Sequence, residues 1–330
     1  MADSDCNSNS GIAHESFEQS GHIQFQKNCC NCYIVPQRIL EKFSKDKKLT
    51  AEQRQYFIDA VKIEEEWRKA RASNARLATL SRSLLATGMN ASAIATAPSV
   101  LVFDCKNGNV LPGSPISNPG TSSDGSAQRA FKETTAVVDF YKSVFGRNSL
   151  DNAGMSLLSS IHFSVNYNNA GWTGSQMKYG DGDGNIFIDF TKSNDVIGHE
   201  LTHGVTQFSS GFAYKNESGG LNESMSDVFG SMFRQWRANQ TVSAADWLIG
   251  KDIIGPGAAA RGFTCLRDMS NPAASHCLAA QPTKYSQYRT GMDPHDSSGI
   301  PNFAFYKAAV AVGGKSWETV RHPRATLSLA

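Results

Sequence analysis

A chain of 330 residues is long enough to bury a sizeable core and to hold about two or three structural units. Its 32 basic and 30 acidic residues nearly cancel, to a net charge of +2, and so leave no electrostatic footprint for nucleic acid or an anionic membrane. Hydrophobic residues make up 40% of the chain and no apolar run reaches bilayer-spanning length, so a soluble protein with no nucleic-acid and no membrane partner is expected.

Residues 1–28 are polar, with Asp3, Asp5, Glu15 and Glu18 and no continuous apolar stretch. They predict a disordered tail and no signal peptide, hence a cytoplasmic protein or one exported by a leaderless route. The seven cysteines are odd in number and unevenly spread, which argues against a disulfide framework, although Cys265 and Cys277 could close a short loop. Cys29-Cys30-Asn31-Cys32 offers thiols for a metal, but no second Cys/His pair at zinc-finger spacing follows. Tyr33–Pro36 leads into Gln37–Phe43, a short amphipathic stretch, and a helical pattern runs from Thr50 to Leu85. Thr50 stands at its N-cap with Gln53 in the capping-box position, and the charged middle, Ile63–Arg71, reads as a solvated face. Gly88–Pro98 has linker composition and is read as a domain boundary exposed to proteolysis.

Beyond the boundary the character changes. Val100–Asp104 is a predicted strand, residues 113–127 a Pro/Ser/Gly-rich loop, and Ala130–Phe145 an amphipathic helix. Strands are predicted at Ser160–Tyr167 and Ile186–Phe190, flanking a tight turn at Gly180–Asn185. Asp181-Gly182-Asp183-Gly184 is half of a calcium loop without its terminal Glu, so it reads as a plain turn. After Asp195 the pattern is largely helical.

The chemistry concentrates in His199-Glu200-Leu201-Thr202-His203. Histidines four apart stack on one helix face and can grip a single ion, while Glu200 lies one residue round, near enough to act on a metal-bound water. A catalytic zinc takes three protein ligands and keeps a fourth position open; Glu223, in Gly219-Gly220-Leu221-Asn222-Glu223, is placed to supply the third ligand from a second helix. Asp227 follows one turn on, where it can hold the outer N–H of a ligand histidine.

These motifs resemble the thermolysin family of zinc neutral proteases, which hold their zinc with two His and one Glu. The likeness spans residues 98–315 and takes in Asn168-Asn169-Ala170, Trp172, Met177–Gly184, Asp195–Gly198, Tyr214–Gly219 and Ser298-Gly299-Ile300, all in family order. Cys32–Pro36 and the helical segment after it resemble the short propeptide of the protealysin branch. The resemblance implies an α+β zincin with a β-rich N-terminal lobe at 97–197 and a helical C-terminal lobe at 198–330, preceded by a tail (1–28) and a propeptide (29–96). It implies a Zn2+-dependent endopeptidase made as a self-inhibited precursor, whose partners are protein or peptide substrates and its own propeptide. Glu200 would be the general base, and Tyr214 and His295 would donate to the tetrahedral intermediate. Asn169, the Ala170 carbonyl and Arg267 would hold substrate backbone. Phe187, Phe190, Val196, Ile249, Ile253 and Leu266 would line an apolar pocket, giving cleavage before Leu, Phe or Ile. Cys32 or Cys30 is a candidate thiolate latch on the zinc.

Three departures from the family pattern stand out. Arg234, Leu248 and Lys251 occupy positions that carry acids in calcium-binding members, which puts Ca2+ in doubt and suggests that Arg234 or Lys251 pairs with Asp195 instead. Thr290 replaces the Asp that orients the catalytic histidine, with Asp293 or Asp296 as substitutes. Finally, the likeness stops after Glu318, so the helical lobe looks truncated, with apolar faces of the Glu223 helix and of Phe303–Val312 expected to be uncovered. The alternative reading is an inactive zinc-binding relative acting as a decoy or inhibitor.

Overall fold

The computed structural model describes residues 32–73 and 98–319. The predicted tail, Cys29-Cys30, the later part of the Thr50–Leu85 helix, nearly all of the Gly88–Pro98 boundary and the last residues from 320 on lie outside them. Among the described residues no helix is long and apolar enough to cross a membrane.

One six-stranded mixed sheet organises the first half, in the order β1-β5-β6-β4-β2-β3. Its strands are β1 (Cys32–Tyr33), β2 (Val100–Asp104), β3 (Ser114–Pro115), β4 (Leu157–Ile161), β5 (Ala170–Trp172) and β6 (Met177–Tyr179). β2, β4 and β6 run parallel, while β3, β5 and β1 are antiparallel to their neighbours. The edge strand β1 comes from the N-terminal segment, with Cys32 opposite Trp172 and Tyr33 opposite Gly171.

Two helices precede the sheet proper, α1 (Gln37–Ser44) and α2 (Ala51–Ser73). Thr50 and Gln53 cap α2 reciprocally, each side chain accepting the other's backbone N–H at 3.1 and 3.0 Å. The face of α2 read as solvated is not wholly so. Phe57, Ala60 and Glu64 share a buried stripe, because i, i+3 and i+7 fall on one side of the helix.

Helix α3 (Gly125–Phe145) makes the crossover between the parallel strands β2 and β4. It starts ahead of the expected Ala130 because Asp124 accepts from Ser126 N at 2.8 Å, and it stops at Gly146, which takes φ 68°. The predicted strand Ser160–Tyr167 is displaced to Leu157–Ile161, since His162, Ser164 and Asn166 adopt left-handed backbone that no ladder continues. The predicted strand Ile186–Phe190 is absent. Asp183 Oδ1 captures the N–H groups of Asn185, Ile186 and Phe187, and a 3-10 turn follows at Phe190–Lys192. Gly180–Asn185 is thus a side-chain-stabilised turn.

The second half is less helical than its pattern suggests. Helices α4 (Asn194–Gln207), α5 (Asn216–Arg237) and α6 (Gly299–Val312) are joined by a long, mostly irregular stretch that holds only the two-stranded pair β7 (Leu248–Ile249) and β8 (Arg267–Asp268) and short helical turns. α5 buries Val228, Met232 and Phe233, so its apolar face is covered, whereas α6 leaves Val310 and Val312 exposed. Helices α4 and α5 cross closely at Gly230, where a Cβ would meet the Asp195 carbonyl at 2.6 Å.

Asp195, fully buried at the start of α4, receives Arg234 Nη1 at 3.2 Å and Gly250 N at 2.7 Å. The same guanidinium reaches Asp252 at 2.7 Å, while Lys251 pairs with Asp246. Of the two cations considered for Asp195, Arg234 is therefore the partner. Removing one side of a buried pair strands the other charge, so Arg234→Ala should lower stability by about 2–3 kcal/mol, read by urea unfolding.

Candidate metal centre and cleft

Helix α4 presents His199 and His203 one turn apart, and α5 brings Glu223 against them. The two Nε2 atoms are 3.1 Å apart, and Glu223 oxygens lie 3.4 Å from His199 Nε2 and 3.5 Å from His203 Nε2. Donors about 2.0–2.1 Å from one tetrahedral zinc are separated by about 3.3 Å, so the three atoms fit such an ion. The outer ring nitrogens reinforce the fit. His199 Nδ1 meets Asp227 Oδ1 at 2.8 Å, and His203 Nδ1 meets Asn222 Oδ1 at 2.8 Å. With Nδ1 as donor on both rings, two Nε2 lone pairs converge and require a cation between them. All three side chains are fully buried, and Glu223 Oε2 lacks a hydrogen bond among the described residues.

Burial opposes charge on every group here, and the neighbours decide the sign. Glu223 is nonetheless held well below the usual carboxylate range by His295, His203 and His199. Asp227 is likewise lowered, to about 2, chiefly by Arg267. For Glu200 burial, with Glu223 nearby, outweighs His199, the Trp172 N–H and His295 and raises it to about 8. Its Oε2 accepts from Trp172 N at 2.9 Å, and its Oε1 has no hydrogen-bond partner among the described residues.

Tyr214 donates to Glu223 Oε1 and lies 3.3 Å from His295 Nε2. His295 sits in a short helical turn, Pro294–Ser297, pressed against α5 at Gly220, where a Cβ would meet Ser297 Oγ at 2.5 Å. Asp293 Oδ1 accepts His295 Nδ1 at 2.8 Å, so Asp293 takes the orienting position; Asp296 is turned away toward Arg38. Desolvation lowers His295, but Glu223 and Asp293 outweigh it and bring it to about 9.

The residues expected to hold substrate backbone hold the N-terminal segment. Ala170 O accepts Ile34 N at 3.2 Å, and Asn169 bonds both ways with Val35, at 2.9 and 3.0 Å. Arg267 Nη1 donates to Ile34 O at 2.9 Å, and His295 Nε2 donates to Tyr33 O at 2.7 Å. Phe187, Phe190, Val196, Ile249, Ile253 and Leu266 are all fully buried in one core cluster with Val35, Ile39, Leu40, Phe43 and Phe57; the Phe57 and Phe187 rings are 6.5 Å apart. Cys32 is buried as well, but the cluster of metal-ligating atoms comprises His199, His203 and Glu223 without it, and Cys30 lies outside the described residues.

Sequence reasoning missed three contributors. Asn222 orients His203. Asn302 donates to Asp227 at 2.8 Å, and Glu64 accepts from Asn169 Nδ2 at 2.6 Å. Only Glu64 left a trace, as the acid on the otherwise apolar Phe57–Ala60 stripe.

The family model for the thermolysin metallopeptidase catalytic domain matches residues 90–207, and that for the thermolysin metallopeptidase alpha-helical domain matches residues 210–322. The chain belongs to the thermolysin metallopeptidase family. Among its relatives, an extracellular metalloprotease of Pectobacterium carotovorum subsp. carotovorum is 42% identical over 228 residues, covering 66% of this chain and 65% of the relative. Protease PrtS of Photorhabdus sp. (strain Az29) is 39% identical over 227 residues, covering 66% and 61%. A thermolysin of Bacillus sp. (strain EA1) is 43% identical over 215 residues, covering 63% and 37%. The chain thus spans less than two thirds of the length of these relatives. A solved structure, the precursor of protealysin, a metalloproteinase from Serratia proteamaculans, superposes with a TM-score of 0.71 at 33% identity, covering 87% of this chain and 83% of that one.

Asp227 is the joint of the site, since it also receives Arg267 Nε at 2.8 Å and Nη2 at 2.7 Å. Asp227→Ala should weaken zinc binding about 10- to 100-fold in a chelator competition, and stranding Arg267 should cost about 3–5 kcal/mol in unfolding.

Proposed function

We propose that the protein is a zinc-dependent endopeptidase made as a self-inhibited precursor. The observation that carries this reading is the convergence of His199, His203 and Glu223 on one point, with the free Oε1 of Glu200 buried beside the two histidines. His199, His203 and Glu223 would hold the zinc, which when bound supplies Lewis acidity toward water and a peptide carbonyl. Once ionised, Glu200 accepts a proton from the attacking water at Oε1 and passes it to the leaving nitrogen. Tyr214 O–H and His295 Nε2–H face the site as donors for the negative tetrahedral oxygen. Arg267, Asn169 and the Ala170 carbonyl align substrate as an added strand on β5. The apolar set from Phe187 to Leu266 favours Leu, Phe or Ile after the cut, since burial of such a side chain contributes about 1.5–3 kcal/mol.

Self-inhibition is supported by the same contacts, because residues 33–35 use each of these backbone partners and take up the His295 donor. A decoy role has no comparable support, as a pure binder gains nothing from a buried carboxyl next to the ligand histidines. Glu200→Gln should lower casein hydrolysis at least about 100-fold while zinc content stays unchanged, and a chelator should abolish the wild-type activity. Casein hydrolysis that survives both changes would refute the assignment.

The inhibitory segment should also respond to pH through Glu64. Burial raises its carboxyl from 4.5 to about 7, only partly offset by Asn169, Lys178 and Arg68. A raised acid favours docking while protonated. Docking is therefore strongest below pH 4.5, weakens as pH climbs toward 7 because only the undocked carboxyl ionises, and levels off above that. Residual hydrolysis of a short fluorogenic peptide by the uncut chain, divided by that of Glu64→Gln, should rise about tenfold or more between pH 5 and 8.

A further inference from the structure

A second group of metal-binding atoms lies away from the catalytic helices. Cys265, His276 and Cys277 each offer one ligand atom, all within 4.8 Å of one another. The two thiols are buried in a small satellite core with Ala274 and Leu248. Their sulfurs are 3.7 Å apart. Two thiolates each about 2.3 Å from one tetrahedral zinc sit about 3.8 Å apart, whereas a disulfide requires about 2.05 Å. Backbone bonds join the two segments that carry them across an isolated bridge: Thr264 N donates to His276 O and Leu278 N to Cys265 O, both at 3.0 Å. Main-chain pairing therefore holds the two cysteines side by side.

His276 completes the set from the rim, its side chain 37% exposed. Asp268 Oδ2 meets His276 Nε2 at 3.2 Å, while its Oδ1 is taken by Ser270 N at 2.8 Å, Ser270 Oγ at 2.6 Å and Asn271 N at 3.1 Å. A carboxylate anchored on one oxygen and facing an imidazole with the other fixes the ring, as Asp227 does for His199.

We propose that Cys265, Cys277 and His276 form a second metal site, which takes a soft cation of the zinc class on three protein ligands and leaves its fourth position to solvent at the rim. Two buried thiolates select such an ion over calcium or magnesium. Binding converts both thiols to thiolates and releases two protons to solvent. The site brackets Leu266 and Arg267, so the ion would pin β8 and the guanidinium that reaches Asp227 and the N-terminal segment. This inference is independent of the catalytic assignment.

The test uses the full chain equilibrated with zinc and then dialysed. Wild type should retain about two zinc ions, and both the Cys265→Ser/Cys277→Ser variant and the His199→Ala/His203→Ala variant about one each. Loss of the ion only from the histidine variant would overturn this proposal and leave the catalytic one standing; the reverse loss would do the opposite. Cobalt replacement adds a signature, because sulfur-to-cobalt charge transfer in the near ultraviolet should persist in Cys32→Ser and vanish in the cysteine double variant. Should that double variant fail to fold, His276→Ala, at a half-exposed position, should weaken retention of the second zinc about 10- to 100-fold. In wild type, zinc should protect Cys265 and Cys277 from N-ethylmaleimide. A fresh chain two hydrogens lighter, with both thiols closed to alkylation until reduced, would instead make them a disulfide and end the proposal.

Discussion

One buried carboxylate couples the metal-ligating pair to the cleft. Asp227 accepts from His199, from two nitrogens of Arg267 and from Asn302, and all of these partners are buried. An ionised carboxylate in such surroundings survives only if its acceptor positions are filled by well-aimed donors, one of them cationic. Each donor comes from a different element, so meeting that demand fixes where α4, β8 and α6 stand relative to α5. The ring of His199 is thereby turned so that Nε2 faces inward, and the guanidinium of Arg267 is left with Nη1 free to reach the cleft. The His199–His203–Glu223 cluster and the groove that holds residues 33–35 are in this sense one hydrogen-bonded network, and neither is set independently.

The N-terminal segment exploits that network without altering it. An edge strand exposes unpaired backbone groups, and β5 would do so if β1 were absent. Residues 33–35 satisfy these groups, then add partners outside the ladder on Asn169, Arg267 and His295. The segment is further anchored by burial of Ile39, Leu40, Phe43 and Phe57 in the same core that contains the expected specificity pocket. Strand pairing supplies direction and register, and the helices behind it supply the apolar area that a two-residue strand lacks. The acid of Glu64 works against docking once it ionises, because burial disfavours its charged form.

How much of this was legible in the sequence depended on the range of the interaction. The helical spacing of His199 and His203, the cap at Thr50 and the strand at Val100–Asp104 are local patterns, and the structure has each where the pattern puts it. The family likeness carried Arg267, Asn169, Tyr214 and His295, whose sequence separations give composition and periodicity nothing to work on. What failed did so for physical reasons. The run Ile186–Phe190 has strand composition, yet Asp183 diverts the N–H groups that a ladder would use. Glu64 was read as solvated because charge dominates a window average, although its position on the stripe of Phe57 and Ala60 decides its burial. Asn222 and Asn302 act across the fold, and an isolated Asn carries no signal of that kind.

The Asp195 position shows how a lobe can be locked by its own side chains. A carboxylate buried at the start of a helix needs positive charge or several donors. In this chain Arg234 bridges Asp195 and Asp252, Gly250 N adds a neutral donor, and Lys251 neutralises Asp246 nearby. A bound cation and an internal guanidinium meet the same electrostatic demand with different dependences. Stabilisation by a cation grows with its free concentration, whereas an internal partner is present at fixed local concentration whatever the medium. The guanidinium is desolvated on folding and has to be held in one geometry, which limits its net contribution. The join between α4, α5 and β7 thus draws its countercharge from Arg234, and it sits at the base of the helix that carries His199 and His203.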